Sequence, residues 1–221
     1  MAAVNEILQA LDGWAPFETQ MDFDNAGFLV GRGDRQVQKI LVALDITLEV
    51  ARAELEGRVA FRLCDGLTGV CPEEVDAVAI AGMGGETIAA ILAAAPWTRE
   101  REVPLILQPM SSMPDLRAWL GKNGYAILEE RLAREGDALY TALSVRAGEM
   151  PPMTAAERYA GRNTRDPLRG AWLERWLART ERALTGLAQS QKPEAAARRE
   201  ELEQLEHELR DMKKEWETWQ R

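Results

Sequence analysis

The chain is poor in histidine and cysteine, and each shortage removes a class of chemistry. With one histidine, His207, in 221 residues, a histidine-built metal cage cannot be assembled. A Ser-His-Asp or Cys-His nucleophile would have to rest on that same side chain, in a highly charged stretch near the C-terminus. Cys64 and Cys71 are the only cysteines; they are too few for a disulfide framework and not spaced as C-x-x-C, so two small buried thiols are expected. No apolar run approaches the roughly 18 residues of a membrane span. Residues 1–10 also lack the basic start and apolar centre of a secretory signal, so a cytoplasmic protein with no membrane partner is expected.

What is present suits a folded protein. Hydrophobic residues make up 46% and charged residues 29% of the chain, enough apolar surface for a core, and the length fits one domain with an appendage or two small domains. Charge is uneven: 13 basic against 23 acidic side chains up to Met153, then 14 against 13. The acidity belongs to the front.

Between Lys39 and Ala147, short β-rich runs (Lys39 to Leu44, Val59 to Leu63, Val75 to Ala81, Val103 to Leu107) alternate with helical stretches (Leu48 to Glu56, Glu86 to Ala95, Asp115 to Lys122). This alternation predicts an α/β fold with a mainly parallel sheet. Tyr125 to Ala133 and Leu139 to Ala147, joined by Arg134-Glu135-Gly136-Asp137, predict an antiparallel hairpin that closes it. Pro151-Pro152 interrupts the chain, and Thr154 with Glu157 forms a T-x-x-E capping box that opens a helical region. Trp172, Trp176, Ala183 and Leu187 mark one helix. Leu202, Leu205, Leu209, Met212, Trp216 and Trp219, spaced 3, 4, 3, 4, 3, read as a coiled-coil seam on a second helix after the turn at Gln191-Lys192-Pro193. The four tryptophans Trp172, Trp176, Trp216 and Trp219 are expected to pack between these antiparallel helices.

The run Val75 to Ala81 leads into Gly82-Met83-Gly84-Gly85 and then a helix. A side-chain-poor turn at the carboxyl end of a strand lets a flat ring approach the backbone, at the edge where open α/β sheets bind ligands. It is not a dinucleotide fingerprint, because the sixth position counted from Gly82 is Thr87, and no Walker lysine follows. On its own it reads equally as a tight turn with nothing bound. Asp65 and Gly66 end the preceding run, where a carboxylate can accept from an adenine amino group, and Gln108-Pro109 ends the following one with an amide. Three consecutive strand ends thus offer polar or glycine residues to one edge.

These motifs, D-G-L, V-D-A-V-A-I-A-G-M-G-G-E-T-I, L-I-L-Q-P and L-R-A-W-L-x-x-x-G-Y, followed by a helical tail, resemble the bacterial tRNA adenine-N1 methyltransferases of the TrmK type from about Arg58 to the C-terminus. The resemblance implies an S-adenosylmethionine-dependent, Rossmann-like domain that methylates N1 of an adenine in tRNA. It implies further that Asp65 and Gly66 hold the cofactor's adenine and that Gly82, Met83, Gly84 and Gly85 lie beside the methyl group. Gln108 and Pro109 would lie on the target-base side. The family's opening D-V-G-x-D-H-type motif is missing ahead of Arg58, so cofactor binding is expected to be weak or lost.

The front resembles another family. W-A-P at Trp14 to Pro16, D-N-A-G-F-L-V-G at Asp24 to Gly31 and L-V-A-L-D-I-T at Leu41 to Thr47 are similar to the opening of Nif-three-like proteins, also known as GTP cyclohydrolase type 2 homologues. That family's histidine metal ligands have no counterpart here, so no metal site is expected and an inherited hydrolase activity is the weakest functional reading. The chain therefore reads as chimeric: residues 1–57 from one family, 58–150 the back of a methyltransferase domain, 151–221 a helical hairpin. Lys39 to Leu44 can stand in for the missing first strand, which would put Asp45 near the lost motif, although Thr47 and Leu48 follow in place of glycines.

From Arg158 to Arg182 seven arginines face only Asp166, Glu174 and Glu181. Arginine's planar fork suits phosphate, and Arg158, Arg162, Arg165, Arg169 and Arg175 are the candidate tRNA contacts; a solvated, ion-paired helix face is the alternative. A noncatalytic module that binds tRNA or protein is the second functional reading, and the hairpin offers a surface for self-association.

Overall fold

The computed structural model describes Arg62 and residues 64–162, 165–188 and 193–220, together with three two-residue strands nearer the N-terminus. β1 (Ala2–Ala3) and β2 (Gln36–Val37) form an antiparallel pair. β3 (Val42–Ala43), β4 (Val78–Gly84), β5 (Leu105–Ser111), β6 (Tyr125–Glu135) and β7 (Ala138–Ala147) form one sheet in the order β3-β4-β5-β7-β6. The helices are α1 (Gly85–Ala94), α2 (Trp97–Glu100), α3 (Met113–Lys122), α4 (Ala155–Ala160), α5 (Arg169–Ala188) and α6 (Pro193–Trp219).

The expected parallel sheet with an antiparallel closing hairpin is present. β3, β4 and β5 run parallel, with Val42 opposite Ala79 and Val78 opposite Leu105. β7 inserts antiparallel between β5 and β6, and the turn between β6 and β7 is only Gly136-Asp137, shorter than the four residues expected. Alternation explains the strands: Val78 and Ile80 on β4, Leu105 and Leu107 on β5, and Leu143 and Val145 on β7 are all buried, as a half-covered sheet requires. α1 lays Ile88, Ile91 and Leu92 on this face, and α3 adds Met113, Leu116 and Leu120.

β3 is the described part of the run Lys39 to Leu44, and it does pair with the methyltransferase-like strands. The expected helix Leu48 to Glu56, Asp45, Thr47, and the Trp14 and Asp24 motifs lie outside the described residues, as does the run Val59 to Leu63 apart from Arg62, which is in no strand.

A second apolar core lies apart from the first. It gathers Ala156 and Ala160 of α4, Trp172, Leu173 and Leu177 of α5, and Leu202, Leu205 and Leu209 of α6. α5 and α6 run antiparallel, as the pairings of Asp166 with Trp216, Glu174 with Lys213 and Glu181 with Arg210 demonstrate. The seam residues face inward except at its end, where Trp219 is 45% exposed. Trp172 and Trp176 meet edge to face at 5.6 Å, and Trp176 meets Tyr159 at 5.1 Å. Both cysteines are exposed free thiols, contrary to expectation; they flank a surface turn in which the Arg62 guanidinium binds the Gly69 carbonyl and Glu74, so neither reaches the core.

Candidate functional site

The glycine segment is not a loop. β4 continues through Gly82, Met83 and Gly84, and Gly85 is already the first residue of α1. Two compensating bulges make this possible. Ala81 pairs with Gln108 and Met83 with Pro109, so Gly82 is the extra residue on β4; Met83 to Gly84 then spans Pro109 to Ser111, so Met110 is the extra residue on β5. Gly82 takes φ +76°, a conformation natural to glycine.

A bulge frees a backbone amide from the ladder, and here Gln108 claims it: the Gly82 N–H donates to Gln108 Oε1 at 2.8 Å. Gln108 is buried, and its Nε2 turns towards the Pro109 carbonyl and Met110 Sδ at 3.4 and 3.3 Å. The amide assigned by resemblance to the target base therefore also ties β5 to the bulge of β4, and Gln108-Pro109 does not end the strand as expected, because β5 runs on to Ser111. Gly85 is required by contact: a Cβ there would stand 2.6 Å from the Ser112 carbonyl and 3.0 Å from that of Ser111. Ser112, in the left-handed region at φ 50°, turns the chain from β5 into α3 directly against the start of α1.

Asp65 and Gly66 lie in a turn closed by Thr68, whose N–H and hydroxyl both donate to the Asp65 carbonyl at 3.1 and 2.8 Å. The Asp65 carboxylate is exposed and holds no partner among the described residues. Gly66, at φ +53°, is packed so closely on α1 that a Cβ would meet Ile91 Cγ1 at 2.9 Å. Ile91 is six residues beyond Gly85, about 9 Å along the helix. The structure thus brings Gly82 to Gly85, Gln108 and Pro109 directly together, and seats Gly66 against the same helix further along, at Ile91. An exposed carboxylate and a wall of glycines suit an adenosyl group. Two hollows of about 250 and 270 Å³ lie elsewhere, both touching Arg162, the first among the helices beside Arg169 and Trp216 and the second against Ile127 to Glu130 of β6.

The arginine cluster divides sharply. Arg158, Arg165 and Arg175 are exposed. Arg162 is committed to Glu157 at 2.9 Å and to the Pro151 and Pro152 carbonyls. Arg169 corrects the sequence reading: it is 2% exposed, and its guanidinium donates to the Ala160 and Gly161 carbonyls at 2.7 and 3.0 Å, which removes it from reach of a phosphate. Burial lowers the pKa of Arg169, with Glu130 opposing that shift and Arg117 adding to it. Arg179 lies over the Trp176 ring at 5.0 Å and Arg182 is exposed. Arg175, Arg179 and Arg182 therefore share one outer face of α5 by helical spacing.

Arg117 and Glu130 went unread as site residues, although Arg117 lies inside the L-R-A-W-L motif. Arg117 is fully buried; its Nε and Nη2 grip Glu130 at 3.1 and 2.9 Å, and its Nη1 holds the Arg158 and Tyr159 carbonyls at 2.7 and 3.0 Å. Burial lowers the Arg117 pKa, opposed by the Glu130 charge. Among the described residues no helix is long and apolar enough to cross a membrane, and no cluster of His, Cys, Asp and Glu is fit to hold a metal.

Comparison with known proteins gives two overlapping family matches. Residues 40–143 match the family described as Methyltransferase domain, and residues 2–62 match Duf34/NIF3 (NGG1p interacting factor 3). The tRNA (adenine(22)-N(1))-methyltransferase of Bacillus subtilis is 37% identical over 101 residues, 46% of this chain and 42% of that protein; the chain thus spans under half the length of this curated relative. The crystal structure of the Bacillus subtilis M1A22 tRNA methyltransferase TrmK superposes with a TM-score of 0.65 at 26% identity, covering 75% of this chain and 74% of the other. Sp1610 of Streptococcus pneumoniae, in complex with S-adenosyl-L-methionine, gives 0.58 at 27% identity, covering 75% and 73%. The resemblance to TrmK-type proteins, the Rossmann-like fold and the Nif-three-like front read from the sequence are all met by these matches.

Proposed function

We propose that the chain is a methyltransferase of the tRNA adenine-N1 type, with a segment of Duf34/NIF3 character supplying the first strand of its sheet. In this reading residues 1–57, 58–150 and 151–221 are its three units. The observation that carries the proposal is the meeting of two motif-bearing strands, Gly82 of β4 and Gln108 of β5, tied at 2.8 Å in the carboxyl-terminal half of a parallel pair, towards the edge where such sheets bind ligands. S-adenosylmethionine, when bound, supplies a methyl group activated on a sulfonium. The chain's residues bind and orient: Asp65 and Gly66 take the adenine end, Gly82 to Gly85 give the cofactor and the target ring a surface without side chains, and Gln108 with Pro109 shapes the target side. N1 of adenine already carries a lone pair, so positioning carries the acceleration and no acid or base residue is needed. A paired adenine must first be exposed by flipping or distortion. The exposed arginines Arg158, Arg165 and Arg175 contact the tRNA backbone.

The test is calorimetric titration with S-adenosylhomocysteine, followed by transfer of labelled methyl from S-adenosylmethionine to unmodified tRNA with digestion to identify N1-methyladenine. Absence of binding heat refutes the cofactor reading. Retention of tRNA without cofactor binding favours a second reading, a noncatalytic tRNA-binding module, which the exposed arginine face of α5 supports. That reading expects tRNA retention that weakens steeply with salt.

A further inference from the structure

Between the sheet and the helical hairpin lies α4, only six residues long, yet both its ends are held by side chains from other elements. At its start, Thr154 and Glu157 form the capping box, and Glu208 of α6 accepts from the Ala156 N–H at 3.0 Å. At its end, four successive carbonyls are claimed by two buried arginines: Arg117 of α3 takes Arg158 and Tyr159, and Arg169 of α5 takes Ala160 and Gly161. Carboxylates thus sit at the positive end and guanidiniums at the negative end.

Glu130 balances the charge of Arg117 in this cluster, and only a bulge puts it there. On β6, Ile127 pairs with Val145 and Glu129 with Ser144, leaving Leu128 as the extra residue, 62% exposed. The bulge shifts the in-out alternation by one, turning Glu130 inward, at 8% exposure, onto Arg117. Gly161 fits because it lacks a side chain: a Cβ there would lie 1.7 Å from Glu130 Oε2. α3 in turn begins at Ser112, the residue pressed on Gly85 at the proposed cofactor edge. Arg117 follows little more than one turn later.

We propose that Arg117, Glu130 and Arg169 are positioning residues that register the helical hairpin, as the platform for tRNA, to the β4–β5 edge. The inference rests on the methyltransferase reading for the identity of the RNA, but the registration itself does not. A planar guanidinium suits the task because its donors are fixed in direction, so each arginine sets an angle as well as a distance. Leu132 of β6 also ties the sheet to the helical side, through its N–H to Asp166 Oδ2 at 2.9 Å and its packing with Leu139 on the second core; the two arginines add fixed directions at the end of α4.

The test uses the full chain with Cys64→Ser and Cys71→Ser, spin labels at Ala90→Cys on α1 and Ala197→Cys on α6, and pulsed dipolar distance measurement. The comparison is with the apolar triple variant Arg117→Met, Glu130→Leu and Arg169→Met, since buried ion clusters replaced by apolar residues of similar size often keep their stability. Expected are one narrow distance distribution in the parent and one about twice as broad in the variant, with affinity for unmodified tRNA weaker by about tenfold, an ordinary size for coupling between sites. Affinity for S-adenosylhomocysteine should stay within about twofold, because the variant leaves the cofactor edge intact. An unchanged distribution and unchanged tRNA affinity in a folded triple variant would overturn the proposal. Should that variant not fold, Arg169→Lys decides with the same two readouts, since a point charge cannot hold both carbonyls in a fixed plane. A parent that binds neither S-adenosylhomocysteine nor tRNA refutes the functional reading, while the distance distribution still judges the registration.

Discussion

Replacing Gly161 by alanine puts the packing at the end of α4 under the most severe strain. The new Cβ would stand 1.7 Å from Glu130 Oε2, 2.7 Å from Glu130 Cδ and 2.9 Å from Arg117 Nη2, so the carboxylate must move off its guanidinium partner. Splitting a buried pair of this kind costs about 3–5 kcal/mol. Backbone conformation adds a second penalty: Gly161 has φ 77° and ψ 178°, a region essentially reserved for glycine, worth about 1–3 kcal/mol. Together these reach about 4–8 kcal/mol, a large part of the 5–15 kcal/mol that holds a typical domain folded. Gly186→Ala is the control, because a Cβ there meets nothing within 4 Å and lies within helix α5, where alanine gains about 0.4–1 kcal/mol. Urea denaturation followed by tryptophan fluorescence, to which Trp97 and Trp119 at the first core and Trp172 and Trp176 at the second contribute, gives both values. Gly161→Ala unfolding at the parent's urea midpoint would refute the geometry on which the Arg117–Glu130–Arg169 cluster depends.

Further expectations follow from the same geometry. Gln108→Leu leaves the bulged Gly82 amide without its acceptor, so stability should fall by about 1–3 kcal/mol and S-adenosylhomocysteine affinity should fall with it; calorimetry and thermal melts measure both. The carboxyl of Glu157 titrates below its usual range because Arg162, first, and the Thr154 N–H bind its ionised form. A depressed folded value means that the stabilisation is complete above the unfolded value and disappears as pH falls through the folded one. Glu157→Gln should therefore be less stable by about 1 kcal/mol at neutral pH, and melts between pH 7 and 3 should show the two proteins converging in acid. Replacing Arg175, Arg179 and Arg182 by alanine should reduce the slope of log tRNA affinity against log salt by about one for each phosphate that is no longer neutralised. Filter binding across a salt series would show an unchanged slope if this face is only solvated.

The order of elements is legible in the sequence because it follows from local patterns. Alternating apolar positions mark β4 and β5, helical spacing marks α1 and α3, the T-x-x-E box marks the start of α4, and Leu202, Leu205 and Leu209 mark the inner face of α6. The carboxyl edge is legible as well, since Gly82 to Gly85 and Gln108 mark it, although β4 runs on to Gly84 and β5 to Ser111, past the points where the apolar runs stop. The residues that join the two halves are not. In a charge count Arg169 is one arginine among seven and Glu130 one acid on an exposed-looking strand, and no local signal separates a buried guanidinium from a solvated one.

The sequence by itself determined the order of strands and helices from β4 to α6, which two families the chain resembles, and that a cage of several histidines cannot be built from His207 alone, because these depend on composition and on residues close together along the chain. Tertiary structure alone decided that Gln108 holds a bulged amide, that Glu130 turns inward past Leu128, and that Arg117 and Arg169 grip the end of α4. Each of these depends on strand register and on the meeting of residues far apart in the chain, and register is set by how the whole sheet pairs.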